Sequence, residues 1–125
     1  MSDILISDAE RRVMQLLWVD HPQSADDLIK ALAPDTGWKS GTIKTLINRL
    51  LNKQAISAKK DGRRFLYSPA VSRKSCLQKD SQQFLSRWFD GKLAPLVSHL
   101  SETDQLSATE IAELKKLLDD LQDEG

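Results

Sequence analysis

The chain has 125 residues, 40% of them apolar, with 18 basic and 18 acidic side chains that leave no net charge. That length supports one core or two small ones and excludes a multi-domain enzyme of ordinary size. Cys76 is the only cysteine, which excludes an internal disulfide and every paired-cysteine zinc or copper arrangement.

Neutrality conceals a division by region. Residues 1–35 carry three basic and seven acidic side chains, residues 36–74 ten and one, residues 75–100 three and two, and residues 101–125 two and eight. The middle segment exceeds what solubility requires and sets up a strong positive potential, as expected of a surface that binds a polyanion. The start, MSDILISDAE, lacks the basic and apolar regions of a secretion signal, and no run of about 18 apolar residues occurs, so the expected location is the cytoplasm, without a membrane partner.

In chain order, Ser7-Asp8-Ala9-Glu10 is a capping box that opens a first helix, with Ala9, Val13, Leu16 and Leu17 on one face. It runs through Trp18 and breaks at Asp20-His21-Pro22-Gln23, because proline cannot continue a helix. Ser24 caps a second helix, in which Ala25, Leu28, Ile29 and Leu32 form a buried stripe that ends in the run from Ala33 to Gly37. A third helix, from Ser40 to about Gln54, buries Ile43, Leu46, Ile47, Leu50 and Leu51, and its outer face carries Thr42, Thr45, Arg49 and Asn52, flanked by Lys44 and Asn48. Two short alternating runs follow, joined at Asp61-Gly62, the dipeptide of a type I′ hairpin turn, with Lys59, Lys60, Arg63 and Arg64 around the tip.

Three helices followed by a basic hairpin is the order of a winged helix-turn-helix, in which the third helix fits the DNA major groove and the hairpin reaches the backbone or the minor groove. Beyond Pro69 the pattern changes. Residues 72–89 read as a long helix with Leu77, Phe84, Leu85, Trp88 and Phe89 toward one side, ended by Gly91. Leu93, Leu96, Val97 and Leu100 mark a short helix with Pro95 in its first turn. Ser107-Ala108-Thr109-Glu110, a second capping box, opens a last helix carrying Ile111, Leu114, Leu117, Leu118 and Leu121. An aromatic stripe of this size is expected to be buried against a second chain, with packing onto the same chain's winged helix as the alternative. The expected fold is mainly α: a winged-helix DNA-binding domain over residues 1–71 and a helical dimerisation region over 72–125.

Three stretches resemble the penicillinase-repressor and copper-repressor group of winged-helix regulators (BlaI/MecI/CopY): ISDAERRVMQLLW, GWKSGTIKTLINRLLNKQAI and GRRFLYSPAVS. The resemblance is specific over about residues 4–73 and extends to the C-terminal helices in layout. It implies a homodimeric transcriptional repressor on a palindromic operator. Its DNA-facing residues would be Lys39, Ser40, Thr42, Lys44, Thr45 and Arg49, with Arg63 and Arg64 in the wing; Lys59 and Lys60 join them on charge. Dimerisation would fall to Phe84, Leu85, Trp88, Phe89, Leu93, Leu96, Ile111, Leu114, Leu118 and Leu121. The chain departs from relatives that are cleaved at an Asn-Phe bond, since both asparagines, Asn48 and Asn52, lie in the third helix, and from copper-responsive relatives, since it has no Cys-x-Cys pair.

An enzyme is not expected. His21 and His99 are far apart, and no glycine-rich phosphate loop or paired metal-ligand spacing occurs. Neither a cofactor nor a metal is expected. Cys76 reads as a small buried hydrophobe, with a redox or metal-sensing thiol as the alternative. The competing functional readings are a protein-binding winged helix, which would present an apolar face on the third helix, and a metal- or ligand-responsive regulator.

Overall fold

The computed structural model describes residues 4–124. Helix α1 spans Asp8–Val19, strand β1 Gln23–Ser24, α2 Ala25–Thr36, α3 Ser40–Asn52, β2 Ile56–Asp61, β3 Arg64–Pro69, α4 Arg73–Phe89, α5 Leu93–Glu102 and α6 Ala108–Glu124. By contacts the chain divides into two units between Asp80 and Ser81, so the first turns of α4 belong with the elements before them.

In the first unit the capping chemistry sets the helix starts. The Ser7 hydroxyl accepts from the Glu10 N–H, and the Glu10 carboxylate accepts from the Ser7 N–H. Ser24 and Asp27 repeat the exchange at α2. Helix α2 continues past Pro34 to Thr36 and stops at Gly37, whose φ of 77° is a left-handed cap that glycine adopts without steric cost.

Val13, Met14 and Leu17 of α1, Leu28 and Leu32 of α2, and Ile43, Leu46, Ile47 and Leu50 of α3 meet in one core, closed by Ala55 and Ile56. Each large side chain buried there contributes roughly 1.5–3 kcal/mol. Trp18, Trp38, Tyr67 and Val71 pack around it partly buried.

The sheet has the order β1-β3-β2, all antiparallel. Strand β1 is absent from the sequence reading: with two residues, paired Gln23 to Tyr67 and Ser24 to Leu66, it is too short to show an alternating pattern. The hairpin itself forms, one residue away from the expected register. Asp61 pairs with Arg64, which leaves Gly62 and Arg63 as the turn residues instead of Asp61-Gly62. Only Gly62 of the two has positive φ, 66°, the arrangement of a II′ turn, which puts glycine first, in place of I′.

The second unit contains the rest of α4, α5 and α6. Ser107 Oγ accepts from the Glu110 N–H at the start of α6, and Gly91, at φ 79°, follows α4. The rings of Phe84 and Phe89 lie 6.0 Å apart, tilted by 51°. No residue of α4 or α5 is fully buried. Leu85, Phe89, Leu96, Val97, Leu100 and Leu114 are half-buried, whereas Trp88 is 69% exposed and Leu117, Leu118 and Leu121 are each 55% exposed.

Candidate nucleic-acid interface

Helix α3 turns its apolar stripe into the core and its polar residues outward. Lys39, Ser40, Thr42, Lys44, Thr45, Asn48 and Arg49 are all exposed, and the spacing of Thr42, Thr45 and Arg49 places them along one outer line. The Thr45 hydroxyl donates to the Gly41 carbonyl at 2.9 Å. With its proton committed there, Thr45 offers a partner its methyl group and an acceptor oxygen. Lys39 occupies the N-cap without a capping hydrogen bond, and the first turn holds no acidic residue, so the leading N–H groups remain open to an anion.

A partly buried ion pair ties down the far end of this helix. Glu10 is 1% exposed, and Lys53, the C-cap residue of α3, donates to its carboxylate and to the Leu5 carbonyl. Burial opposes ionisation of Glu10, but the hydrogen bonds from Lys53 and the Ser7 N–H and the Lys53 charge outweigh it and hold the pKa below the ordinary value. The indole of Trp18 donates to the Val71 carbonyl at 3.0 Å and so ties the exit of β3 to α1. The Thr36 hydroxyl accepts from the Trp38 N–H at 3.0 Å on the approach to α3. Trp18 therefore serves as a fixture of the frame, and Trp38 packs partly buried against the core.

The four wing cations divide by face. Register pairs Ala58 with Tyr67 and Lys60 with Phe65, whereas Lys59 faces Leu66 and Asp61 faces Arg64. Alternation puts Lys60 on the Tyr67 side and Lys59 and Arg64 on the other; Arg63 stands in the turn. Arg64 donates to Asp61 at 3.3 Å, an exposed pair of little energetic weight. Its charge also acts on Asp27, whose pKa is lowered first by hydrogen bonds from Ser24 and then by Arg64. Among the described residues no carboxylate pairs with Lys39, Lys44, Arg49, Lys59, Lys60 or Arg63. The outer face of α3 is thus cationic and hydroxyl-bearing, and the hairpin carries cations on both of its faces and at its turn.

Sequence reasoning passed over the Glu10–Lys53 pair, because a glutamate in a capping box reads as solvated and nothing local signals its burial. It also missed Tyr67 as a neighbour of α3. Tyr67, Lys44, Asn48, Ala25 and Ile47 line one open depression of about 180 Å³. The expected location of Tyr67 in a strand carried that information only together with the register. Cys76 is half-buried, less than expected, and burial together with nearby Asp80 pushes its thiol pKa up. No cluster of three metal-binding side chains occurs among the described residues.

Residues 6–120 match the family described as penicillinase repressor. The chain is 36% identical to the penicillinase repressor of Bacillus licheniformis over 115 residues, covering 92% of this chain and 90% of that protein. It is 35% identical to the methicillin resistance regulatory protein MecI of Staphylococcus aureus (strain N315) over 113 residues, covering 90% and 92%. Among solved structures, the DNA-binding domain of the repressor BlaI matches with TM-score 0.54 and 36% identity, over 58% of this chain and 90% of that one. The monomeric form of Bacillus licheniformis BlaI, in complex with the blaP half-operator, matches with TM-score 0.52 and 36% identity, over 59% and 92%. The chain belongs to the penicillinase repressor family, whose members are transcriptional repressors and not enzymes.

Proposed function

We propose that the chain represses transcription in the cytoplasm by binding double-stranded DNA as a homodimer on a palindromic operator. The observation that carries this reading is the outer face of α3, where Thr42, Thr45 and Arg49 stand exposed between unpaired cations. A protein-binding winged helix would carry apolar side chains there. On this reading α3 enters the major groove with Lys39, Ser40, Thr42, Lys44, Thr45 and Arg49 facing the DNA, and Lys59, Lys60, Arg63 and Arg64 hold the backbone beside it. The exposed apolar side chains of the second unit, Phe84, Trp88, Leu93, Ile111, Leu118 and Leu121, with half-buried Leu85, Phe89, Leu96 and Leu114, are covered by a second copy. Two reading helices then meet half-sites about one helical turn apart.

Footprinting of the purified protein on the DNA upstream of its own gene tests the proposal. Two protected half-sites with two-fold symmetry are expected, and protection indifferent to sequence would refute operator recognition.

A further inference from the structure

The depression between α3 and the wing has a chemistry that the outer line of Thr42, Thr45 and Arg49 does not share. Lys44 and Asn48 are one turn apart on α3, so their side chains lie one above the other, and both are exposed. Tyr67 rises beside them from β3, with its ring partly buried against the core. Ile47 and Ala25 supply the apolar remainder of the lining. No hydrogen bond or ion pair engages the side chains of Lys44, Asn48 or Tyr67 among the described residues. An ammonium, a carboxamide and a phenol therefore converge on one recess of about 180 Å³ with their donors uncommitted. Lys60 continues the same wing face outward, two pairs along from Tyr67.

We infer that this recess is a seat for a single DNA backbone phosphate, held by the Lys44 ammonium, the Asn48 amide N–H and the Tyr67 hydroxyl. Three donors around a cationic centre suit a phosphodiester, which offers two anionic oxygens and no proton. The start of α2 adds little, because Asp26 and Asp27 occupy its first turn and offset the positive end of the helix. Tyr67 is the rigid member: its strand pairs on both sides, with Gln23 and with Ala58, so its position is set before DNA arrives. The seat fixes how α3 sits in the groove and reads no sequence itself.

The inference rests on the DNA-binding reading, and its test separates the two. On the half-site found by footprinting, each phosphate is replaced in turn by a neutral methylphosphonate, and binding is measured for the wild type, Tyr67→Phe, Asn48→Ala and Lys44→Met. These substitutions keep the Tyr67 ring, the α3 helix and the Lys44 stem, so the fold is retained; thermal melting checks this. One position per half-site is expected to cost the wild type about tenfold in affinity. At that position alone the cost should shrink in each variant, most in Lys44→Met, since part of the contact has already been lost. If wild-type binding is intact but every position costs all four proteins alike, the seat is refuted while DNA binding stands. If the wild type discriminates no half-site at all, the DNA-binding reading fails and the seat fails with it. Inorganic phosphate at millimolar concentration separates a free-anion site from a backbone site: protection of the Tyr67 resonances by phosphate alone, with no coupled methylphosphonate, would overturn the assignment to DNA.

Discussion

The two units handle apolar surface in opposite ways. The first encloses Val13, Met14, Leu17, Leu28, Ile43, Ile47 and Leu50 almost completely and keeps its polar residues on the outer line of α3. The second, built from helices of similar length, leaves Trp88, Leu117, Leu118 and Leu121 more than half exposed. Charge follows the same division, with ten basic and one acidic residue in 36–74 against two and eight in 101–125. A closed core makes a unit self-sufficient; on the proposed reading its surface meets DNA, and the open stripe of the other is covered by a second chain. An acidic exterior would, on that reading, repel the second unit from a phosphate backbone.

The sharpest way to break that comparison is to cut it. Truncation after Asp80 should leave a cooperatively melting protein, because its core residues all precede the cut. Without the linked second half-site, affinity for the paired operator should fall by roughly 100-fold or more. Sedimentation equilibrium beside operator titration reads both effects, and a truncated protein that still sediments as a dimer would move the interface into the first unit. In the full chain, Trp88→Ala should shift the same equilibrium toward monomer without altering any residue of α3.

The second prediction tests how the first unit holds its reading helix. Lys53→Met strands the buried Glu10 carboxylate, at a cost of about 2 kcal/mol; the full figure for a buried pair is higher, but Lys53 is partly open to water. The paired Glu10 has a folded-state pKa below its ordinary 4.5, so its contribution is present above that value and is lost as pH falls through the folded-state pKa. In the variant the Lys53 charge and hydrogen bond are gone and only the Ser7 hydrogen bonds still oppose burial, so Glu10 takes up its proton earlier on acidification. The stability gap between wild type and variant should narrow as pH drops from neutrality toward about 4. Denaturant titrations at the two pH values measure it, and a gap constant with pH would mean that Lys53 acts by packing.

Smaller effects distinguish reading from holding. Arg49→Ala and Thr45→Ala should each cost about 1.5 kcal/mol on the footprinted sequence if a base contact is lost, and much less on random duplex. Equal losses on both duplexes would reassign these residues to the backbone.

Much of this was legible in the chain because it is local. The caps at Ser7 and Ser24, the stripe of α3 and the glycine stops are short-range patterns, and the comparison of charge by region needs no coordinates. What escaped depends on register and long-range packing. Strand β1 exists only because β3 lies beside it. The turn shifted by one residue because Asp61 gains a strand partner in Arg64, which a dipeptide rule does not weigh. Glu10 meets Lys53 across 43 positions of sequence, and Tyr67 meets Lys44 only after the hairpin folds back. The outer line of α3 through Thr42, Thr45 and Arg49 was readable from spacing, and Lys39 and Ser40 were added by the family resemblance, whereas the division of the wing cations between two faces required the pairing.

That division leads to the smallest effect. Arg63 stands at the turn with no carboxylate partner among the described residues, whereas Arg64 is already drawn to Asp61 and influences Asp27. Its attraction to DNA must therefore compete with carboxylates that the same contact would release. Arg63→Ala should lower the magnitude of the log–log salt slope by about 0.9, the value of one phosphate contact, equally on operator and random duplex. Arg64→Ala should lower it by less, because the wild-type side chain begins partly neutralised. Asp61→Ala should act in the reverse direction and steepen the slope slightly by freeing Arg64, with the turn preserved because Gly62 supplies its positive φ. Binding measured across a salt series on both duplexes reads all three variants. If Arg63 and Arg64 prove interchangeable, the Asp61 pairing is irrelevant to DNA and the wing acts as a diffuse patch of charge.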